Sequence, residues 1–198
     1  MHRGFVLGGL LAGVVLVALG IGSIVVGATG KSDVRDRLAD EKIVGTPDMT
    51  PELTEAAVEE AGVSNVVEVP DCSVADEEID TGSEAECFAD YMRIHALEDT
   101  GGKVYAEMPR AVDPETGDPV AEENVEAALA SGEAIPNPER EIWISETALA
   151  TALNTSFFAE QVANFGIVMG IAMVLIGIGL LVLTFGALRP TLASSERT

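Results

Sequence analysis

Few side chains in this sequence could do chemistry on a substrate. Its 198 residues include two cysteines, two histidines and 33 Asp and Glu against 11 Lys and Arg. Cys72 and Cys87 are the cysteines. An even count within one non-membrane segment reads as a disulfide, which belongs to an oxidising compartment; two reduced thiols are the alternative. Closing a loop of that size removes unfolded-chain entropy equivalent to about 3 kcal/mol. The segment adds only His95 to these sulfurs, short of the four Cys or His ligands of structural zinc, and it contains no Cys-x-x-Cys redox pair.

The carboxylates fall into two groups. Asp76, Glu77, Glu78, Asp80, Glu84 and Glu86 surround the disulfide, and Asp113, Glu115, Asp118, Glu122 and Glu123 form the second. Oxygen-rich stretches suit hard cations. Neither fits an EF-hand: the second places Gly117 one position early. We read both as solvated acidic loops and expect no metal site. His95 lies beside Tyr91 on the apolar side of an expected helix, a setting for a packed, hydrogen-bonded imidazole rather than a base. The nucleophile elbow, Walker A, dinucleotide-binding glycine and H-E-x-x-H patterns are all absent. No catalytic residue and no cofactor are expected.

The elements that must hold these residues are set by where charge is missing. Between Arg3 and Lys31 lie 27 uncharged residues, and between Glu160 and Arg189 lie 28. About 20 apolar residues suffice to cross a bilayer as a helix, the form that satisfies its own backbone there. We place spans at Gly4–Ala28 and Ala163–Leu188. A cleaved signal ending near Val26-Gly27-Ala28 is the rival for the first run, which is far longer than the usual apolar region of a signal peptide. Arg189 and Arg197 follow the second span, while residues 141–163 contain no Lys or Arg. This asymmetry puts the C-terminus, and with two spans the N-terminus, in the cytoplasm. Lys31, Arg35, Arg37 and Lys42 after the first span argue the other way, but acidic neighbours alternate with them and large segments translocate largely regardless of charge.

Residues 29–160 hold 32 acids and 8 bases, a net of −24. No cationic stripe exists to meet phosphates, which excludes a nucleic-acid partner. Within this segment Ser32–Lys42 extends the first span as a charged helix. Thr50-Pro51 starts a helix that Gly62 ends. Val63–Val69 and Lys103–Met108 read as short strands. Ser83 with Glu86 forms a capping box for a helix in which Phe88, Tyr91, Met92 and His95 share a face, ending at Gly101-Gly102. Pro109–Pro119 reads as a loop, and Asp118 caps a helix stopped by Gly132. Asn137-Pro138 opens the last element, with Ile142, Leu149, Leu153 and Phe157 along one side; Trp143 suits either the domain interior or a membrane interface.

The expected fold class is therefore α+β: two antiparallel transmembrane helices (4–28 and 163–188) flank a small, acidic, mostly helical extracytoplasmic domain (29–162). A few short strands complete the domain, and a cytoplasmic tail (189–198) ends the chain. In the spans, Gly9, Gly13, Gly20 and Gly27 and then Gly166, Gly170 and Gly177 repeat steps of 4 and 7. Both sets contain G-x-x-x-G, which lets helix backbones approach closely in lipid. The matched spacing favours packing of the spans on each other, with an oligomer or partner interface as the other reading and the ordinary glycine content of such helices as background.

Two segments carry a resemblance. They are Ile94-His95-Ala96-Leu97-Glu98 through Gly101-Gly102-Lys103 to Tyr105-Ala106-Glu107, and Trp143-Ile144-Ser145-Glu146-Thr147-Ala148-Leu149 through Leu153-Asn154. With both spans, they resemble a group of actinobacterial two-span membrane proteins that often carry the label "aromatic ring-opening dioxygenase LigA". The likeness is weakest over residues 44–86 and brings no catalytic residues with it. Ring-opening chemistry needs a non-haem iron, commonly on two His and a carboxylate. The histidines here are His2 and His95, on opposite sides of the membrane in this topology, so the label is set aside.

The expectation for function is a non-enzymatic integral protein of the cell membrane. Its outer domain would serve as an interaction or assembly module, in a homo-oligomer or with another membrane protein. An envelope cation-binding or sensing domain is the alternative, motivated by the charge. A hydrolase using carboxylates brought together by folding stands third.

Overall fold

The computed structural model describes residues 2–64 and 67–193. Its helices are α1 (His2–Glu41), α2 (Pro51–Ala61), α3 (Gly82–Asp99), α4 (Val125–Ser131) and α5 (Pro138–Ala193), of 40, 11, 18, 7 and 56 residues. Among the described residues the sheet content is one antiparallel ribbon, β1 (Ala111–Val112) with β2 (Ile135–Pro136), in the register Ala111↔Pro136 and Val112↔Ile135. The α+β expectation is thus overturned: the chain is a helical protein carrying one two-residue ribbon. Val63, Ser64 and Val67–Val69 form no strand, and Asn65 and Val66 lie outside the described residues. Tyr105–Glu107, expected within a strand, is a 3₁₀ turn. The β-branched residues there have no neighbouring strand to pack beside, and β propensity reflects such packing more than the backbone itself.

The chain divides into two compact units, Met1–Asp36 with Phe158–Thr198, and Arg37–Phe157. The first is made from parts of Val6–Glu41 and Pro138–Gly186, helices long and apolar enough to cross a membrane, with best windows of mean hydropathy 2.6 and 2.8. Only 11% of each window is buried. A soluble core helix would be covered, whereas Leu7, Leu11, Val26, Phe165, Leu175 and Leu183 all stand exposed. Of the tail expected at 189–198, residues 189–193 continue α5, and residues 194–198, including Arg197, lie outside the described residues.

The two helices of this unit meet through backbone. A Cβ added to Gly20 would come 2.6 Å from the Gly170 oxygen, and one added to Gly170 would come 2.6 Å from that of Gly20. Gly13 faces Gly177 and Leu181, Gly27 faces Ala163, and Gly9 faces Thr184. Partner numbers fall as α1 rises, so the helices are antiparallel. Gly166 makes only ordinary contact, 3.8 Å from Ser23; instead its carbonyl accepts a 2.7 Å hydrogen bond from the Ser23 hydroxyl. At the same end Lys31 Nζ pairs with Glu160 at 2.9 Å and also reaches Asn164 Oδ1 at 3.4 Å. Close backbone approach maximises dispersion where lipid provides no hydrophobic drive.

The second unit is built on ordinary burial. Val74, Ile79, Tyr91 and Ile94 are at most 1% exposed, and burying such a side chain stabilises by roughly 1.5–3 kcal/mol. The α2 helix starts as expected: Thr50 accepts from the Leu53 N–H, Pro51 leads, and Gly62 ends it at φ 72°. For α3 the cap is Thr81, not Ser83. Its hydroxyl accepts from the Glu84 N–H, while Glu84 Oε2 accepts from the N–H groups of Thr81 and Asp80 at 2.9 and 3.0 Å. Two overlapping Ser/Thr-x-x-Glu patterns compete here, and the earlier satisfies three backbone donors at once. Asp118 caps nothing: a 3₁₀ turn (Glu122–Asn124) leads into α4, which Gly132 stops at φ 79°. Ala111, Val125 and Ala134 make a small second core.

Segments 43–49 and 74–79 zip together without forming a strand. The N–H of Gly45 donates to Glu77 O, that of Ile79 to Ile43 O, and that of Val74 to Met49 O, at 2.9, 2.9 and 3.2 Å. Gly45 is required there, because any Cβ would collide with the Val74 carbonyl. The disulfide Cys72–Cys87 then joins the segment before this zipper to α3. The buried Tyr91 hydroxyl donates to the Cys72 carbonyl at 2.5 Å, so the phenol sits in the core with its polar tip satisfied.

Candidate functional site

Cys87, Tyr91, Ile94 and Leu97 of α3 are buried. Of the face expected to be its apolar side, Tyr91 is buried, while Phe88, Met92 and His95 are only partly covered. With Asp99, these last three step by 4, 3 and 4 and form one wall of a groove. The other wall is the first part of α5, which Asn137 starts. Asn137 is buried, and its Oδ1 accepts from the Glu139 N–H at 3.0 Å while its Nδ2 donates to Pro109 O at 3.1 Å. Every polar atom of that cap is therefore in use, which fixes where the helix begins.

Two cavities lie in series along the groove. One, of about 550 Å³, is lined mainly by Leu38, Ile43, Phe88, Met92, Leu149 and Leu153, with Arg37, Glu41 and Ser156 at its margin. The other, of about 620 Å³, shares Met92 and Leu149 with it and adds His95, Asp99, Glu141, Ile142 and Glu146. As α3 runs from Phe88 to Asp99, the α5 wall runs back from Ser156 to Glu141. The groove is apolar at one end and acidic at the other, and Leu149 and Ile142 stand 53% and 39% exposed in it.

Long side chains bridge the two walls. Arg93 Nε lies 3.2 Å from Glu146 Oε1, and the Arg93 guanidinium stacks 4.4 Å above the Trp143 ring. Glu146 is 4% exposed and also accepts from the Thr147 hydroxyl at 3.1 Å. Although the Arg93 geometry falls short of a hydrogen bond at that oxygen, the opposite charge at this distance is what permits a buried carboxylate. Arg140 stacks 3.9 Å above Tyr105 in the same manner. Trp143 thus packs within the acidic unit, its edge lining a separate polar cavity with Asp90 and Glu107.

His95 Nε2 meets Asp48 Oδ2 at 3.2 Å, so the imidazole is held by the segment between α1 and α2. A hydrogen bond from Thr46, more than the His95 charge, keeps the Asp48 carboxyl below its ordinary range. One turn on, Glu98 has a buried Oε1 with no hydrogen-bond partner, and burial pushes its carboxyl up despite nearby His95. Among the described residues, no three His, Cys, Asp or Glu side chains gather so as to hold a metal ion.

Asp48, Arg93, Arg140 and Glu146 were not singled out in the sequence. As lone charges among many in the sequence, they offered no signal there. Among the described residues the two acidic groups do not converge on a metal site: in the first Glu84 is used as a cap, and in the second Asp113 accepts from the N–H groups of Thr116 and Glu115 in its own turn. No family model, curated protein or solved structure matches this chain.

Proposed function

We propose that this chain is a non-enzymatic integral membrane protein. Both its ends lie in the cytoplasm, and its acidic unit projects from the cell membrane as an interaction or assembly module. The observation that carries the reading is the pairing of two outward-apolar helices with a disulfide-stapled unit that carries an open groove between α3 and α5. The groove offers exposed Leu149 and Ile142. The Cys72–Cys87 bond supports an oxidising compartment for the unit.

Crosslinking in intact membranes, followed by gentle detergent extraction, tests this. A defined partner or homo-oligomer is the expected result, and a strictly monomeric, partnerless chain would count against the module. Reporter fusions at either end and within the loop 113–118 test the topology; cytosolic placement of that loop would overturn it.

A further inference from the structure

Within the module reading, and resting on it, the geometry points to one occupant for the α3–α5 groove: a cationic amphipathic helix of a partner protein. Its length comes first. Phe88 to Asp99 is 12 residues, and the 11 steps between them rise roughly 17 Å, so the two cavities in series match about three turns of a docked helix. The chemistry along that length is not uniform. Leu38, Phe88 and Leu153 line one end, where apolar side chains at helical spacing would lose water. At the other end Asp99 and Glu141 line the wall with no basic side chain paired to them among the described residues, since Arg93 is committed to Glu146.

The wider field agrees in sign. Residues 37–157 hold 29 acids and 6 bases, a net of −23, so a Lys- or Arg-bearing segment is drawn in and an anionic lipid headgroup or acidic peptide is repelled. Leu149, shared by both cavities and 53% exposed, is the residue a partner would cover most completely.

The test uses the full chain in phosphatidylcholine nanodiscs. One probe is an 18-residue Leu/Lys peptide with helical periodicity and a central benzophenone; a Leu/Glu peptide of identical pattern is its control. We expect saturable binding of the Lys peptide above that to empty nanodiscs, with crosslinks mapping to residues 88–99 and 141–156. Leu149→Gln, exposed and therefore harmless to the fold, should weaken binding tenfold or more. The pair Asp99→Asn with Glu141→Gln should weaken it severalfold and flatten its salt dependence. Equal binding of the two peptides, crosslinks confined elsewhere, or variants without effect would overturn the assignment. A native partner crosslinked at another face would do so too, while leaving the module reading intact.

Discussion

The helix pair and the acidic unit are stabilised by opposite devices. In the pair, apolar side chains point outward and the interior is made by removing side chains: Gly13, Gly20, Gly27, Gly170 and Gly177 let backbone touch backbone. In the acidic unit the side chains themselves fill the centre, around Tyr91, Ile94 and Val74, and charge covers the outside. The difference follows from the surroundings. In the proposed membrane placement, lipid would give no reward for hiding Leu from it, and dispersion between close backbones would decide. Water does reward burial, but a unit with 29 acids repels itself and leans on a covalent staple and on paired arginines.

The largest break in this comparison should come from the staple. Replacing Cys72 and Cys87 with serine is expected to cost the acidic unit about 3 kcal/mol. Urea unfolding followed by Trp143 fluorescence would read it, since that residue is the chain's one tryptophan and reports this unit alone. The helix pair should keep its resistance to unfolding in detergent.

Next comes Gly20→Leu, which drives a side chain into the Gly170 backbone and should cost about 2–3 kcal/mol as overpacking. Gly22→Leu, two residues on with nothing within 4 Å, should be silent. Thermal melting of the solubilised chain distinguishes them; equal effects would mean the glycine contacts carry no packing energy.

A smaller effect separates the two candidate caps of α3. Thr81→Ala should lower stability by about 1 kcal/mol, and Ser83→Ala, at an exposed position, should leave it unchanged.

The smallest is the pH response of the acidic unit. Burial holds the carboxyls of Glu98 and Glu86 above the ordinary glutamate value of 4.5. The folded state therefore binds more protons than the unfolded chain in the interval above that value, so stability rises as pH falls toward 5. Asp48 and Asp113 have the opposite sign. Their carboxyls lie below the ordinary 3.8, through the Thr46 hydrogen bond and the Thr116 N–H respectively, and their contribution is lost as acidification continues through that region. Melting midpoints taken from pH 7 to 3 should pass through a maximum, and Glu98→Gln should shallow the rise on its acidic approach.

Several elements were legible because their signals are local. Thr50-Pro51 and Gly62 bound α2, and Asn137-Pro138 opens α5, since capping depends on a few consecutive residues. The α3 cap was displaced by two residues because Thr81-x-x-Glu84 and Ser83-x-x-Glu86 both fit the pattern; which donors lie nearby in space settles such ties. The strands were misplaced for a related reason. Ala111–Val112 and Ile135–Pro136 are too short to alternate, and their pairing across 22 intervening positions leaves no trace in either segment.

What the sequence determined alone was the segregation of charge from apolar residues, and with it two helices able to cross a membrane and an acidic unit carrying both cysteines. Run length and periodicity are one-dimensional properties, so one dimension suffices to read them. Tertiary structure alone decided that His95 rests on Asp48, that Arg93 and Glu146 join across two helices, and that Met92 and Leu149 link an apolar cavity to an acidic one. Those facts depend on which faces of distant helices meet, and that is fixed by packing of the whole unit rather than by any local preference.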